Sequence, residues 1–397
     1  MIDVRAARHD PERFRSALAR KGAAAAFDEL LAADARWRDL ETRVTELRAR
    51  SKTKGKPTAE QLEELRAVKD ELSRLEEEHA DATRARDEAL ARVPNPPHET
   101  VPDGETEDDA VELRRWGEPP QLAAPREHTE IGRFDMDRAA RISGSRFGYL
   151  IGDTALLALA LHRAGIDHLV AQGFTAVIPP VLVREEAMYG TGFFPTERSN
   201  IYALADDGLF LTGTSEVALA ALHMGEILEE VPLRYAGFST NFRREAGAAG
   251  KDTRGMFRVH QFNKVEMFVY TEPGESWPEH ERLLELEESF LRKLGLPYRV
   301  VDVAAGDLGA SAARKYDIEA WFPSQERYRE VTSCSNTTDF QARRLGIRHR
   351  GEHGPEPVHT LNGTMVTDRA VLAILENFQG DVPDALRAYG APATVTA

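Results

Sequence analysis

Apolar residues change their spacing along the chain. From Phe27 to about Arg92, Leu30, Ala33, Trp37, Leu40, Val44 and Leu47 recur at steps of three and four. Leu65, Val68, Leu72, Leu75, Ala82 and Ala89 take the pattern up again. Such steps mark a narrow heptad seam. Between the two runs lies SKTKGKPT, where Gly55 and Pro57 interrupt a helix. Thr58 followed by Gln61 reads as a capping box that opens the second run. The pattern predicts two helices, each roughly 40–50 Å long, folded into an antiparallel hairpin. The remaining faces are charged, so the hairpin projects into solvent. On pattern alone, a coiled-coil dimerisation element is an equally good reading.

The segment VPNPPHETVPDGETEDDAVELRRWGEPP is rich in Pro and acid and reads as a linker. From about Ile131 strand-like runs appear: FTAVIPP, GLFLTGT, LRYAGFSTNF, FRVHQFNKVEMFVY, YRVVDV and YREVTS. Helical runs span Asp153 to Ala171, Glu279 to Leu294 and Arg369 to Phe378. This succession predicts an α+β class with a largely antiparallel sheet. The expected division is an N-terminal domain over 1–100 carrying the hairpin (about 27–92), a linker and start of the core over 101–130, and a second domain over 131–397.

Composition narrows the classes. The chain has 397 residues, 42% of them hydrophobic, enough for one large core and a smaller unit. Its single cysteine, Cys334, makes no disulfide framework and no zinc-binding Cys pair, and points to a reducing cytosol. No run reaches the ~20 apolar residues of a membrane span, and MIDVRAARHDPERF has no apolar stretch of a secretory leader. His349, His353 and His359 are spaced too irregularly for zinc, and none is expected. A net charge of −15 argues against general affinity for nucleic acid. Yet Arg48, Arg50, Lys52, Lys54 and Lys56 cluster at the hairpin turn. They read either as a solvated turn or as a tip that contacts phosphates.

No glycine-rich phosphate loop is present, so phosphate binding would fall to arginines and a metal. TNFRREAGAAGKDTRGMFRVHQFNKVEMF supplies them. Arg243 and Glu245 alternate on a predicted strand, and a loop with Gly247, Gly250 and Gly255 follows. A second strand returns with Arg258, His260, Phe262, Lys264 and Glu266 at period two, so these side chains share a face. The plain alternative is a solvent-facing polar sheet. In HTLNGTMVTDRAVLAILENFQ a strand is expected to end at Asn362 and Gly363, and Arg369 opens a helix where the dipole disfavours a cation unless an anion sits there. In YREVTSCSNTT, Glu330 and Ser333 offer the oxygens that Mg²⁺ prefers.

These segments resemble a known family. Arg243-Arg244-Glu245 with Phe262 is similar to motif 2 of class II aminoacyl-tRNA synthetases. Gly363 and Arg369 before the apolar helix resemble motif 3, and GFTAVIPP, ending at Pro180, resembles motif 1. LTGTSEVALAALH, GKDTRGMFRVHQFNKVE, RYREVTSCSNTTDFQARR and TLNGT resemble the seryl-tRNA synthetases in particular, over essentially the whole chain. The resemblance implies a class II catalytic domain over 131–397 behind a tRNA-binding arm. It implies ATP-dependent ligation of L-serine to tRNA(Ser) through a seryl-adenylate, in a cytoplasmic homodimer joined through motif 1, with Mg²⁺ and no membrane.

Carried over by position, Arg243 and Arg369 are catalytic. ATP would meet Arg243, Arg244, Glu245, Arg258, Val259, Phe262, Glu330, Val331, Thr332, Ser333 and Arg369, with Mg²⁺ on Glu330 and Ser333. Serine would meet Thr214, Ser215, Glu216, Arg243, Glu266, Asn362 and Thr364. The tRNA would meet Arg48, Arg50, Lys52, Lys54 and Lys56. Other readings stay open: a paralogue serving a secondary pathway or inhibitor resistance, or an amino acid–carrier-protein ligase. The chain departs from the pattern in a short stretch between the arm helices and in Asp368 beside Arg369, which is either a helix cap or a weakened phosphate contact.

Overall fold

The computed structural model describes residues 1–52, 58–246, 255–351 and 354–396. Two compact units result, Met1–Pro96 and Pro97–Ala397.

The first unit holds helices α1 (Val4–His9), α2 (Pro11–Ala19), α3 (Ala24–Arg50) and α4 (Ala59–Arg92). Along the α3–α4 seam Leu40, Val44 and Leu47 bury against Val68, Leu75 and Ala82, with Trp37 and Leu72 at its edge. Thr58 and Gln61 form both bonds of the capping box that starts α4. At the hairpin base α1 and α2 close a second cluster of Ile2, Leu18, Phe27, Leu30 and Leu90. Within this base lies Asp34, 1% exposed and bound by Arg8 (2.6 and 2.7 Å), Arg86 (3.0 Å) and Arg38 (3.1 Å). A carboxylate on an apolar seam is stable only when so compensated. Gly55 and Pro57 lie outside the described residues.

In the second unit eight strands, counted among the described residues, form the main sheet. They are β1 (Val111–Trp116), β2 (Thr175–Val177), β3 (Leu233–Phe242), β4 (Gln261–Thr271), β5 (Tyr298–Asp302), β6 (Arg314–Phe322), β7 (Arg327–Thr338) and β8 (His359–Thr367). Their order is β1-β5-β6-β7-β8-β4-β3-β2, antiparallel except for the β2–β3 edge pair. Helices α5 (Asp153–Ala171), α6 (Ser276–Leu294) and α7 (Asp368–Phe378) pack on it, sharing a core of Leu157, Leu161, Leu283, Phe290, Val371 and Leu375 with Val265, Met267 and Val269 of β4.

Four local expectations change. The predicted linker contains strand β1 at the sheet edge, all of whose residues are exposed, Val111, Leu113 and Trp116 included. Strand β6 is absent from the expected runs, although its buried Tyr316, Ile318, Ala320 and Phe322 alternate with Lys315, Asp317, Glu319 and Trp321 at the period of a strand. Within GLFLTGT only Leu209–Leu211 is a strand, and it belongs to a small three-stranded sheet. Strand β8 does not end at Asn362 and Gly363 but runs to Thr367. Gly363 is there for space: a Cβ would meet Glu287 Oε1 and Met267 Cε at 2.9 Å and Cys334 Cβ at 3.0 Å.

Candidate active site

A cavity of about 400 Å³ opens in the second unit. Strand β4 supplies Phe262, Lys264 and Glu266 to its wall, and β8 supplies Asn362 and Thr364. Lys264 and Glu266 are almost fully buried and pair directly with each other. Lys264 Nζ also donates to Thr214 Oγ1 at 2.7 Å. The adjacent Glu216 accepts from Gln341 Nε2 (2.7 Å) and from Asn362 Nδ2 (3.0 Å). Burial, then the nearness of Glu266, pushes the Glu216 carboxyl up to about 7. Burial likewise raises Glu266, against the pull of Lys264. This recess thus presents the Glu266 carboxyl, the Lys264 ammonium and the Thr214 hydroxyl bonded to one another, with the Glu216 carboxyl held beside them by Gln341 and Asn362.

The other part of the wall is richer in guanidinium groups. Strand β3 ends at Phe242, so Arg243 and Glu245 do not alternate on a strand. Glu245 takes a left-handed backbone (φ 52°) at the start of the loop. Pairing persists one residue beyond the strands: Arg243 N donates to His260 O (2.9 Å), and His260 Nδ1 donates to Arg243 O (2.8 Å). His260 therefore serves the backbone and does not line the cavity. Arg243 Nε donates to Gly213 O (3.1 Å), and its guanidinium lies 5.2 Å from the centre of the Phe262 ring. Glu245 Oε2 accepts from Arg258 Nη1 at 2.6 Å. Gly247 and Gly250 lie outside the described residues.

Arg369 is the second residue of α7, and the N-cap Thr367 accepts its amide at 3.2 Å. Its Nη1 donates to Glu330 Oε2 and Glu330 O, both at 3.0 Å, and its Nε donates to Phe257 O at 3.3 Å. Glu330 and Ser333 would face opposite sides of a regular strand. The β6–β7 ladder slips by one residue between Ile318↔Thr332 and Glu319↔Glu330, and this bulge lets both reach the cavity. Burial works against the Glu330 charge, but Lys315, Arg369 and Arg243 hold its carboxyl well below the usual range.

Val259, Val331 and Thr332 also line the cavity, so most of the expected site residues converge there. Two do not. Ser215 is buried with its hydroxyl aimed at Gly237 O (3.5 Å), while Thr214 and Glu216 on either side of it line the cavity. Arg244 is exposed: its amide donates to Asn200 O (2.8 Å) and its guanidinium lies over Tyr202. Reasoning from sequence left out Lys264 as a site residue, although its period-two position marked it, and left out Lys315, which sits on the unanticipated β6.

At the hairpin end, Arg48 pairs with Glu76 (2.8 Å) and Arg50 approaches Glu64 (4.0 Å), so these cations are partly offset by α4. Lys52 is exposed, and Lys54 and Lys56 lie outside the described residues. His349 Nε2 lies 3.2 Å from Glu356 and His359 Nδ1 bonds Ser276 Oγ (2.8 Å), while His353 is not among the described residues. Among the described residues no helix is long and apolar enough to cross a membrane.

Comparison with known proteins agrees in both units. A model described as the tRNA synthetase class II core domain (G, H, P, S and T) matches residues 202–378, and one described as the seryl-tRNA synthetase N-terminal domain matches residues 1–97. The serine–tRNA ligase of Acidothermus cellulolyticus is 50% identical over 411 residues, covering 98% of each chain. That of Streptomyces coelicolor is 48% identical over 98% of this chain and 97% of its own. The crystal structure of seryl-tRNA synthetase from Pyrococcus horikoshii complexed with ATP superposes with a TM-score of 0.93 at 39% identity, covering 100% of this chain and 99% of that one. The cytoplasmic serine–tRNA ligase of Naegleria fowleri in complex with AMP gives 0.87 at 32% identity, over 98% and 96%.

Proposed function

The chain belongs to the seryl-tRNA synthetase family, and on that premise we propose that it joins L-serine to tRNA(Ser), using ATP to form a seryl-adenylate first. The observation that carries this reading is one cavity lined both by Arg243 and Arg369 and by the buried polar recess of Thr214, Glu216, Lys264 and Glu266. The carrier-protein alternative has no observation in its favour.

Adenylation is attack of a carboxylate on a phosphate. Both partners are anions, so alignment and neutralisation are the main tasks, and no base is needed. In this assignment Arg243 bridges the serine carboxylate and the α-phosphate, and Arg369 holds the γ-phosphate. Phe262 and Arg258 sandwich the adenine, and the Arg258 bond keeps Glu245 beside it to accept from the amino group. Val259, Val331 and Thr332 complete the nucleotide wall. Glu330 and Ser333 fit Mg²⁺: both are hard oxygen donors on the same wall, Glu330 is held ionised, and substrate phosphates complete such a shell. When bound, the ion offsets phosphate charge.

Glu266 takes the serine hydroxyl, while Thr214 and Glu216 take its ammonium, with Asn362 and Thr364 closing the recess. A recess built for a hydroxyl rejects alanine because its own polar groups would be left unpaired. The arm meets RNA through Arg48, Arg50, Lys52, Lys54 and Lys56 as a basic tip on an acidic protein. Ile178, 86% exposed just after β2, and Leu159, 65% exposed on α5, support self-association through the motif 1 edge. ATP and tRNA set the cytoplasm as the working compartment.

Amino-acid-dependent ATP–pyrophosphate exchange tests the reading. Serine alone should support exchange, and charging of tRNA(Ser) should follow. Exchange with alanine or glycine but not serine would overturn the assignment of the recess.

A further inference from the structure

Asp368 stands beside the arginine assigned to the phosphate chain, where an acid is out of place. Its surroundings explain how it is tolerated. Asp368 lines the cavity and begins α7. Its Oδ2 accepts from Asn263 N on β4 at 2.7 Å, continuing by a side chain the ladder that pairs Lys264 with Thr367. Its Oδ1 faces His162 Nε2 at 3.6 Å. Among the described residues neither of these two atoms has a hydrogen-bond partner.

His162 is 4% exposed on α5, and its Nδ1 lies 2.7 Å from Ala158 O. A carbonyl only accepts, so Nδ1 carries a proton. A neutral imidazole would then turn a bare Nε2 toward a carboxylate oxygen. One further proton, on either the ring or the carboxyl, removes that conflict, and it belongs to the pair. Helix α5 is held close at the same place: one turn after His162, a Cβ on Gly165 would meet Val366 Cγ1 at 2.9 Å. The residues leading into Arg369 are thus clamped to α5 by packing at Gly165 and by charge at His162.

We propose that His162 and Asp368 are a proton-sharing positioning pair for Arg369, which hold the start of α7 in place and keep its field favourable to an anionic nucleotide. The proposal rests on the assignment of Arg369 to the phosphates. With the proton present the pair carries no net negative charge. Once the proton leaves, a carboxylate remains beside the phosphate site. Burial raises the Asp368 carboxyl, which is consistent with a retained proton. The charged groups facing the pair are few: His162 comes from α5, Lys264 of β4 is turned to Glu266 and Thr214, and Arg369 on α7 is turned to Glu330.

The test is the KM for ATP and for serine in pyrophosphate exchange by the full-length protein, measured from pH 6 to 9. In the unaltered protein KM for ATP should rise by about 2- to 30-fold where the pair loses its proton, the span for one charge roughly 8 Å from a phosphate between the dielectric of water and that of a protein surface. KM for serine should not follow it. Asp368→Asn keeps the acceptor for Asn263 N and should give a low, flat ATP profile. His162→Gln leaves the proton to the carboxyl alone and should shift the pH at which KM for ATP rises. An ATP profile of the same shape in the unaltered protein and in Asp368→Asn would overturn the proposal, as would variants that shift both KM values together. Arg369→Ala is the control: if KM for ATP is unchanged there, the assignment of Arg369 has failed and not the pairing.

Discussion

Arg369 Nη1 donates to both the carboxylate and the backbone carbonyl of Glu330, at 3.0 Å each, while its ring contact with Phe257 lies at 4.5 Å. The guanidinium is therefore oriented before any nucleotide arrives, and part of that orientation does not depend on the carboxylate. Arg369→Ala should cost about 10²–10³-fold in exchange rate, the usual loss for one preorganised donor. Glu330→Ala should leave Arg369 on the carbonyl and chiefly raise the Mg²⁺ concentration needed for half-maximal exchange. Titrating exchange with ATP and with Mg²⁺ separates the two. Unchanged Mg²⁺ dependence in Glu330→Ala would remove the metal assignment.

Glu216 should make serine recognition depend on pH. Its carboxyl, raised to about 7 by burial and then by Glu266, is largely protonated below that value and ionised above it. An ionised Glu216 attracts the serine ammonium, so KM for serine should fall as pH rises from 6 to 8. Glu216→Gln should flatten the profile and lower kcat/KM for serine on the order of 10–100-fold, the range for a hydrogen bond to a charged group.

Glu287 is fully buried on α6, and among the described residues neither carboxyl oxygen has a hydrogen-bond partner. Burial pushes its carboxyl well up. A carboxyl raised on folding contributes stability at low pH that is lost as pH rises toward its folded value. Glu287→Gln should therefore raise the melting temperature of the second unit at pH 8, by ~2–4 °C for each kcal/mol recovered, and much less at pH 5. Thermal unfolding at the two pH values checks this, and an equal shift at both would refute it.

Asp34 behaves in the opposite sense. Burial opposes its charge, but hydrogen bonds from Arg8, Arg86 and Arg38 outweigh it and lower the carboxyl. Its contribution is present above the unfolded value and is lost as pH falls through the folded one. Asp34→Ala should destabilise the arm unit by about 1–3 kcal/mol near neutrality, with the difference shrinking in acid. Charging of tRNA(Ser) should fall while pyrophosphate exchange stays within twofold, because exchange needs only the second unit.

Ile178→Asp should weaken self-association. The expected outcome is a lower mass in light scattering at micromolar concentration. An unchanged mass would move the interface away from the motif 1 edge.

Some of this was legible in the residues themselves. The arm follows from its heptad steps and from Thr58 and Gln61, because a hairpin's seam and cap depend on neighbours a few positions apart. Helices α5 and α7 and the convergence of Arg243, Glu266, Glu330 and Arg369 followed from local period and from family resemblance. What the tertiary structure decided concerns residues whose role depends on distant partners. Strand β1 is exposed throughout, and its pairing with β5 makes it a strand. Glu330 and Ser333 share a wall only through a bulge that no spacing announces. Ser215 and Arg244 sit inside matching motifs yet turn away from the cavity, Ser215 toward Gly237 O and Arg244 toward Tyr202. Gly363 breaks nothing and instead makes room for Glu287, and Asp368 finds its counterpart in His162, 206 positions earlier in the chain. Charge compensation and close packing act through space, so a sequence shows which groups need partners and the fold decides which they receive.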